Sequence, residues 1–145
     1  MFGQLISEVM EHRRLLTAAP DITVSRAAQL MAERNVGAIV VLEDGRLAGI
    51  FTERDALFRI VSEGRDPRTT CLAEVMTRNP KTIHPDKPFP DALHLMHESG
   101  FRHVPVVENG QPVGMISARD ALGPELEDFI YELLRHEQAQ DVLSG

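Results

Sequence analysis

The chain has 145 residues, 43% of them hydrophobic, which suffices for one ordinary domain or two very small ones with a true core. Asp and Glu total 22 against 15 Lys and Arg, a formal net charge of -7 that speaks against a nucleic-acid surface and requires any anionic ligand to be held by local positive charge. Cys71 is the only cysteine, so an internal disulfide and a cysteine-built zinc site are excluded; with no apolar run near the roughly 20 residues of a membrane span and no basic start to a secretion signal, no membrane is expected and the location reads as cytoplasmic.

In chain order, Phe2, Leu5, Ile6, Val9 and Met10 follow helical spacing and predict a short amphipathic helix that needs a surface to cover. Arg14-Leu15-Leu16-Thr17 predicts a short strand, ended by Pro20-Asp21. Thr23 is the expected N-cap of a helix that turns Val24, Ala27, Ala28 and Met31 toward the core. Apolar runs over 36–42 and 47–51 meet through Asp44-Gly45, the pairing a type I′ hairpin turn demands because both central residues take positive φ. The second run, Gly49-Ile50-Phe51-Thr52-Glu53-Arg54-Asp55-Ala56-Leu57, reads as a strand that passes through Thr52 into a new helix.

Gly64-Arg65-Asp66-Pro67-Arg68-Thr69-Thr70 holds no large apolar residue and carries both breakers, so the boundary between units at 8–63 and 72–122 is expected there. The pattern then restarts. Glu74-Val75-Met76 echoes Glu8-Val9-Met10, the helix stripe returns as Phe89, Ala92, Leu93 and Met96, and the turn returns as Asn109-Gly110. Gly114-Met115-Ile116-Ser117-Ala118-Arg119-Asp120-Ala121-Leu122 repeats the first strand-to-helix junction 65 positions later. Residues 17–57 align with 82–122 without a gap, about 15 of 41 positions being identical, which marks an internal duplication. The expected fold is α+β, two β-α-β-β-α repeats packed about a pseudo-twofold axis. Each unit of about 60 residues buries too little surface to stand comfortably alone. Packing the copies together leaves clefts between them, each flanked by one junction.

A tandem pair of CBS domains, the cystathionine-beta-synthase-type modules, is what the chain resembles. The likeness rests on Gly49...Thr52...Asp55 and Gly114...Ser117...Asp120, with Arg102-His103-Val104-Pro105-Val106 similar to the family's middle strand. The first copy reads Gly37-Ala38-Ile39-Val40-Val41 there and lacks the proline. The resemblance implies a regulatory module that binds AMP, ADP, ATP, NAD or S-adenosylmethionine in the inter-repeat clefts, forms a homodimer and acts on an effector protein in trans. It implies ribose on Asp55 and Asp120, and phosphate near Thr52, Arg54, Ser117 and Arg119. Base and cleft contacts would come from Thr82, Ile83, Arg102, His103 and Pro105, with Thr17, Ala18 and Ala38 as first-copy counterparts.

The residues agree with that chemistry but also support a plainer reading. Thr52 or Ser117 at a helix start offers free backbone N–H groups for phosphate, and the Asp three residues on can accept from a ribose diol. The same spacing is close to a capping box, in which hydroxyl and carboxylate only satisfy helix-end donors. The cleft carrying Asp120 is expected to matter more, since its copy supplies the larger side chains. His94 and His97 lie one helical turn apart without a carboxylate to complete a metal set, and no nucleophile-base arrangement is legible, so neither a metal nor an enzyme is expected. After Gly123-Pro124, Leu126, Phe129, Ile130, Leu133 and Leu134 predict an amphipathic helix over 124–138, with Glu125, Glu127 and Asp128 early and Arg135 and His136 late, as the helix dipole favours. It is expected either to cap the core or to join the N-terminal helix in an oligomer interface. The competing functional reading is a ligand-free structural dimerisation module.

Overall fold

The computed structural model describes residues 3–10, 15–122 and 131–137. Two hairpins dominate it. β2 (Ala38–Glu43) and β3 (Arg46–Thr52) turn at Asp44 and Gly45, with φ of 52° and 76°; β5 (His103–Glu108) and β6 (Gln111–Ser117) turn at Asn109 and Gly110, with φ of 54° and 78°. The registers coincide under the 65-residue offset: Ala38 faces Thr52 as His103 faces Ser117, and the irregularity after Val41 recurs after Val106. Ahead of each hairpin a short extended segment pairs in parallel, β1 (Thr17–Ala18) through Ala18 and Val41, and its counterpart through a single Ile83–Val106 bridge. The strand expected over 14–17 is thus shorter and later. Leu16 is buried and its carbonyl accepts from Val40 N at 2.9 Å, while Arg14 lies outside the described residues.

The helices α2 (Val24–Arg34) and α5 (Phe89–Ser99) follow the parallel segments. Thr23 caps α2 as expected, its hydroxyl accepting from Arg26 N at 3.1 Å, and Asn35 ends the helix in the left-handed region. Val24, Ala27 and Met31 are buried, whereas Ala28 is exposed; the stripe turns instead toward half-buried Leu30. In α5 the stripe is Phe89, Ala92 and Met96 with half-buried Leu93. Each core holds one phenylalanine, at complementary places. Phe51 on β3 shares the first core with Val24, and at the equivalent positions of the second core Ile116 on β6 accompanies Phe89 on α5. Exchanging the large residue between helix and strand keeps core volume nearly constant, the kind of change packing tolerates best.

Each core is closed by a lead-in helix from elsewhere in the chain. α1 (Ile6–Met10), the predicted N-terminal helix, packs on the second core through fully buried Ile6; Phe2 lies outside the described residues. α4 (Leu72–Val75), at the start of the second repeat, closes the first core with Leu72, Val75 and Met76. Fully burying side chains of this kind is worth roughly 1.5–3 kcal/mol each. β4 (Thr77–Arg78) then adds to β3, which makes the first sheet four-stranded, while β5 and β6 form a two-stranded sheet of their own. The motif glycines have their physical reason here. A Cβ on Gly49 would lie 2.7 Å from Met76 Sδ and 2.8 Å from the Thr77 carbonyl oxygen, and one on Gly114 would lie 2.5 Å from Met10 Sδ.

The segment 64–70 is not a free linker. Its Pro67 and Thr70 carbonyls accept from Ser25 N and Val24 N at 2.9 and 2.8 Å, taking up donors that the start of α2 cannot pair internally. Residues 131–137 are helical and exposed throughout, so Leu133 and Leu134 do not cap a core of this chain; Leu126, Phe129 and Ile130 lie outside the described residues.

Candidate functional site

At the first junction Thr52 leaves β3 extended and begins the three-residue helix α3 (Glu53–Asp55), which continues as a π-helical turn, Ala56–Val61. The Thr52 hydroxyl accepts from Asp55 N at 3.3 Å, and Asp55 Oδ2 accepts from Thr52 N at 2.9 Å and from the Thr52 hydroxyl at 3.2 Å. At the second junction Asp120 Oδ2 accepts from Ser117 N at 2.7 Å and from the Ser117 hydroxyl at 3.4 Å, and a 3-10 turn, Ala118–Leu122, follows. The first junction is a complete capping box, and at the second Asp120 supplies the carboxylate half of one. Capping does not exhaust either carboxylate, because an ionised carboxylate has about four lone-pair sites.

The other oxygen of Asp55 faces Arg59 Nε at 3.5 Å, and Arg59 Nη1 donates to the Val75 and Met76 carbonyls at 3.0 Å each. Arg59 thereby ties the first junction to the end of α4. A carboxylate and an arginine four residues apart were the available signal for this contact. The equivalent position in the second copy is Pro124, which has no side-chain donor.

Beside the first junction opens a cleft of about 520 Å³. Thr52, Arg54 and Asp55 of the first copy line it together with Lys81, Arg102 and His103 of the second. Arg54 holds its guanidinium 5.2 Å from the centre of the Phe58 ring. Five of the residues singled out from the sequence thus come together from both copies. Arg102 and His103 line the cleft with Asp55, although the sequence reading grouped them with Asp120; they also adjoin the second junction, His103 pairing with Ser117 across the hairpin and the Arg102 carbonyl accepting from Ala118 N at 2.9 Å.

The remaining candidates lie off this cleft. Ser117 is buried, Arg119 exposed and Asp120 half-buried at the second junction. Ile83 donates its N–H to the Pro105 carbonyl at 3.1 Å, and its carbonyl accepts from Val107 N at 2.9 Å. Pro105 is fully buried, Ala38 is buried opposite Thr52, Thr82 is exposed, and Thr17 and Ala18 form β1. Around the second junction, residues 11–14 lie outside the described residues. Among the described residues no cluster of three or more His, Cys, Asp or Glu side chains is arranged to hold a metal; His94 faces Glu98 at 3.0 Å and His84 faces Asp86 at 3.7 Å.

A gap-free duplicated unit, with cores closed by lead-in helices and a cleft lined from both copies, defines a paired-repeat α+β module. The CBS domain family profile matches residues 6–62 and 72–124, and the chain belongs to the CBS domain family. It is 35% identical over 141 residues to the CBS domain-containing protein CBSX3, mitochondrial, of Arabidopsis thaliana, covering 90% of this chain and 68% of that one. Against CBSCBSPB1 of the same plant the identity is 38% over 109 residues, 74% of this chain but only 20% of that protein. A CBS domain pair solved in complex with 5-methylthioadenosine and S-adenosyl-L-methionine superposes with a TM-score of 0.74 at 25% identity, covering 81% of this chain and 96% of that chain. Among the described residues no helix is long and apolar enough to cross a membrane.

Proposed function

We propose that this CBS pair is a non-catalytic, cytoplasmic regulatory module, with 8–63 and 72–122 as its halves and 124–138 as an appended helix, that reports an adenosine-containing ligand to an effector protein in trans. The observation that carries the reading is the cleft where Thr52, Arg54 and Asp55 of one copy meet Arg102 and His103 of the other. The neighbour solved with two adenosine compounds supports the ligand class. Asp55 and Asp120 would accept from ribose hydroxyls, and Thr52, Arg54, Ser117 and Arg119 would meet phosphate. Thr82, with Thr17, Ala18 and Ala38 in the first copy, would bound the base. Homodimerisation is supported by Leu57, Phe58 and Val61, 54%, 54% and 69% exposed on the π-helical turn, and by exposed Leu133 and Leu134.

A thermal-shift panel of AMP, ADP, ATP, NAD and S-adenosylmethionine tests the proposal. Ligand at about 100 times its dissociation constant adds roughly 2.7 kcal/mol and should raise the melting point by several degrees, guanine and pyrimidine nucleotides doing much less. No shift with any adenosine compound at millimolar concentration would favour the structural dimerisation module.

A further inference from the structure

We infer that the cleft chooses among adenosine compounds by their phosphate chain, taking a 5′-di- or triphosphate over S-adenosylmethionine or adenosine itself; this rests on the adenosine reading above. Four of its lining residues are Lys or Arg, in a chain whose net charge is -7. Asp55 and Arg59 are paired with each other, which leaves Arg54, Lys81 and Arg102 facing the single further carboxylate of Glu53. None of those three cations makes an ion pair with a carboxylate among the described residues; Arg54 rests over the Phe58 ring instead. A local excess of positive charge on a concave surface concentrates anions against the field of the rest of the molecule.

The chemistry of the three is matched to a chain of phosphates rather than to one. An arginine fork donates two parallel hydrogen bonds to phosphate oxygens, and a lysine supplies a mobile point charge. Arg54 enters the cleft from the first copy beside Thr52, and Lys81 and Arg102 enter from the second, so an extended anion in the cleft has cations of both copies to draw on. The sulfonium of S-adenosylmethionine would bring a positive charge to the same place. Lys81 and Arg102 also belong to the second copy alone, the aligned first-copy positions being Leu16 and Gly37.

Titration calorimetry on the whole chain, with ATP, AMP, adenosine and S-adenosylmethionine at fixed ionic strength, tests the inference. ATP is expected to bind at least about tenfold more tightly than adenosine or S-adenosylmethionine, with AMP between, and the ATP affinity alone should fall steeply as salt screens the cations. Both Lys81 and Arg102 are exposed, so the double variant Lys81→Gln, Arg102→Gln should fold and melt as the wild type does. It should lose about tenfold or more in ATP affinity, several times more than whatever it loses for adenosine, which has no phosphate for the two cations to meet. Equal affinity for ATP and S-adenosylmethionine, or an equal loss for ATP and adenosine in the double variant, overturns the phosphate selection while leaving the adenosine reading standing. If neither adenosine nor any of the other three compounds binds at millimolar concentration, the adenosine reading falls and the selection falls with it.

Discussion

The two halves share one backbone plan, offset by 65 residues, and differ most where that plan meets the cleft. The first half fastens its junction: Asp55 is held by Arg59, and Arg59 by the end of α4. In the second half the position of Arg59 is a proline, while Leu16 and Gly37 are replaced by Lys81 and Arg102. The first copy thus contributes a braced carboxylate and Arg54, and the second adds two exposed cations, Lys81 and Arg102. A duplication that had stayed symmetric would have made two equivalent clefts; divergence at these three positions makes the cleft beside the first junction draw different parts from each copy.

The largest expected effects lie in the cores. Phe51→Ala and Phe89→Ala should each cost about 3–5 kcal/mol, measured by urea denaturation, since both side chains are fully buried. The complementary placement can be broken and then restored. Phe51→Ile and Val24→Phe should each destabilise by about 1–3 kcal/mol through a void and through crowding, and the double variant, which copies the second core, should recover at least about 1 kcal/mol of their sum. Strict additivity would show that the two residues do not compensate each other.

The motif glycines should separate the halves further. Gly49→Ala meets the Thr77 main chain as well as a side chain and should cost about 2–3 kcal/mol, whereas Gly114→Ala meets only the flexible Met10 and should cost about 1 kcal/mol, with equal melting-point losses counting against this packing account. Arg59→Met should cost about 1–2 kcal/mol, because it removes charge-assisted bonds to two carbonyls from a side chain 47% exposed. An unchanged denaturation midpoint would mean that the tie to α4 carries no weight.

Much of this fold was legible in the residues, for local reasons. Asp44-Gly45 and Asn109-Gly110 demand positive φ, and Thr23 needs only its own helix to be a cap, so the hairpins and the start of α2 follow from sequence. Which core a lead-in helix covers is decided by packing between distant segments. Ile6 closing the second core and Leu72 closing the first left no mark beyond the echo of Glu8-Val9-Met10 in Glu74-Val75-Met76. The same limit applies at the cleft. Aligning the copies exposes Thr52, Arg54 and Asp55, but it pairs like with like, while the cleft sets the first junction against Lys81, Arg102 and His103 of the other copy. Arg59 and Phe58, outside the aligned repeat, went unseen for that reason.

The central claim is that one adenosine ligand is held by both halves at once. Amide chemical-shift mapping by NMR during titration with ATP addresses it most directly. The expected result is simultaneous, saturable shifts at Thr52–Asp55 and at Arg102–His103, abolished or strongly weakened in Asp55→Ala. Shifts confined to one half, or none at millimolar ligand, would contradict it.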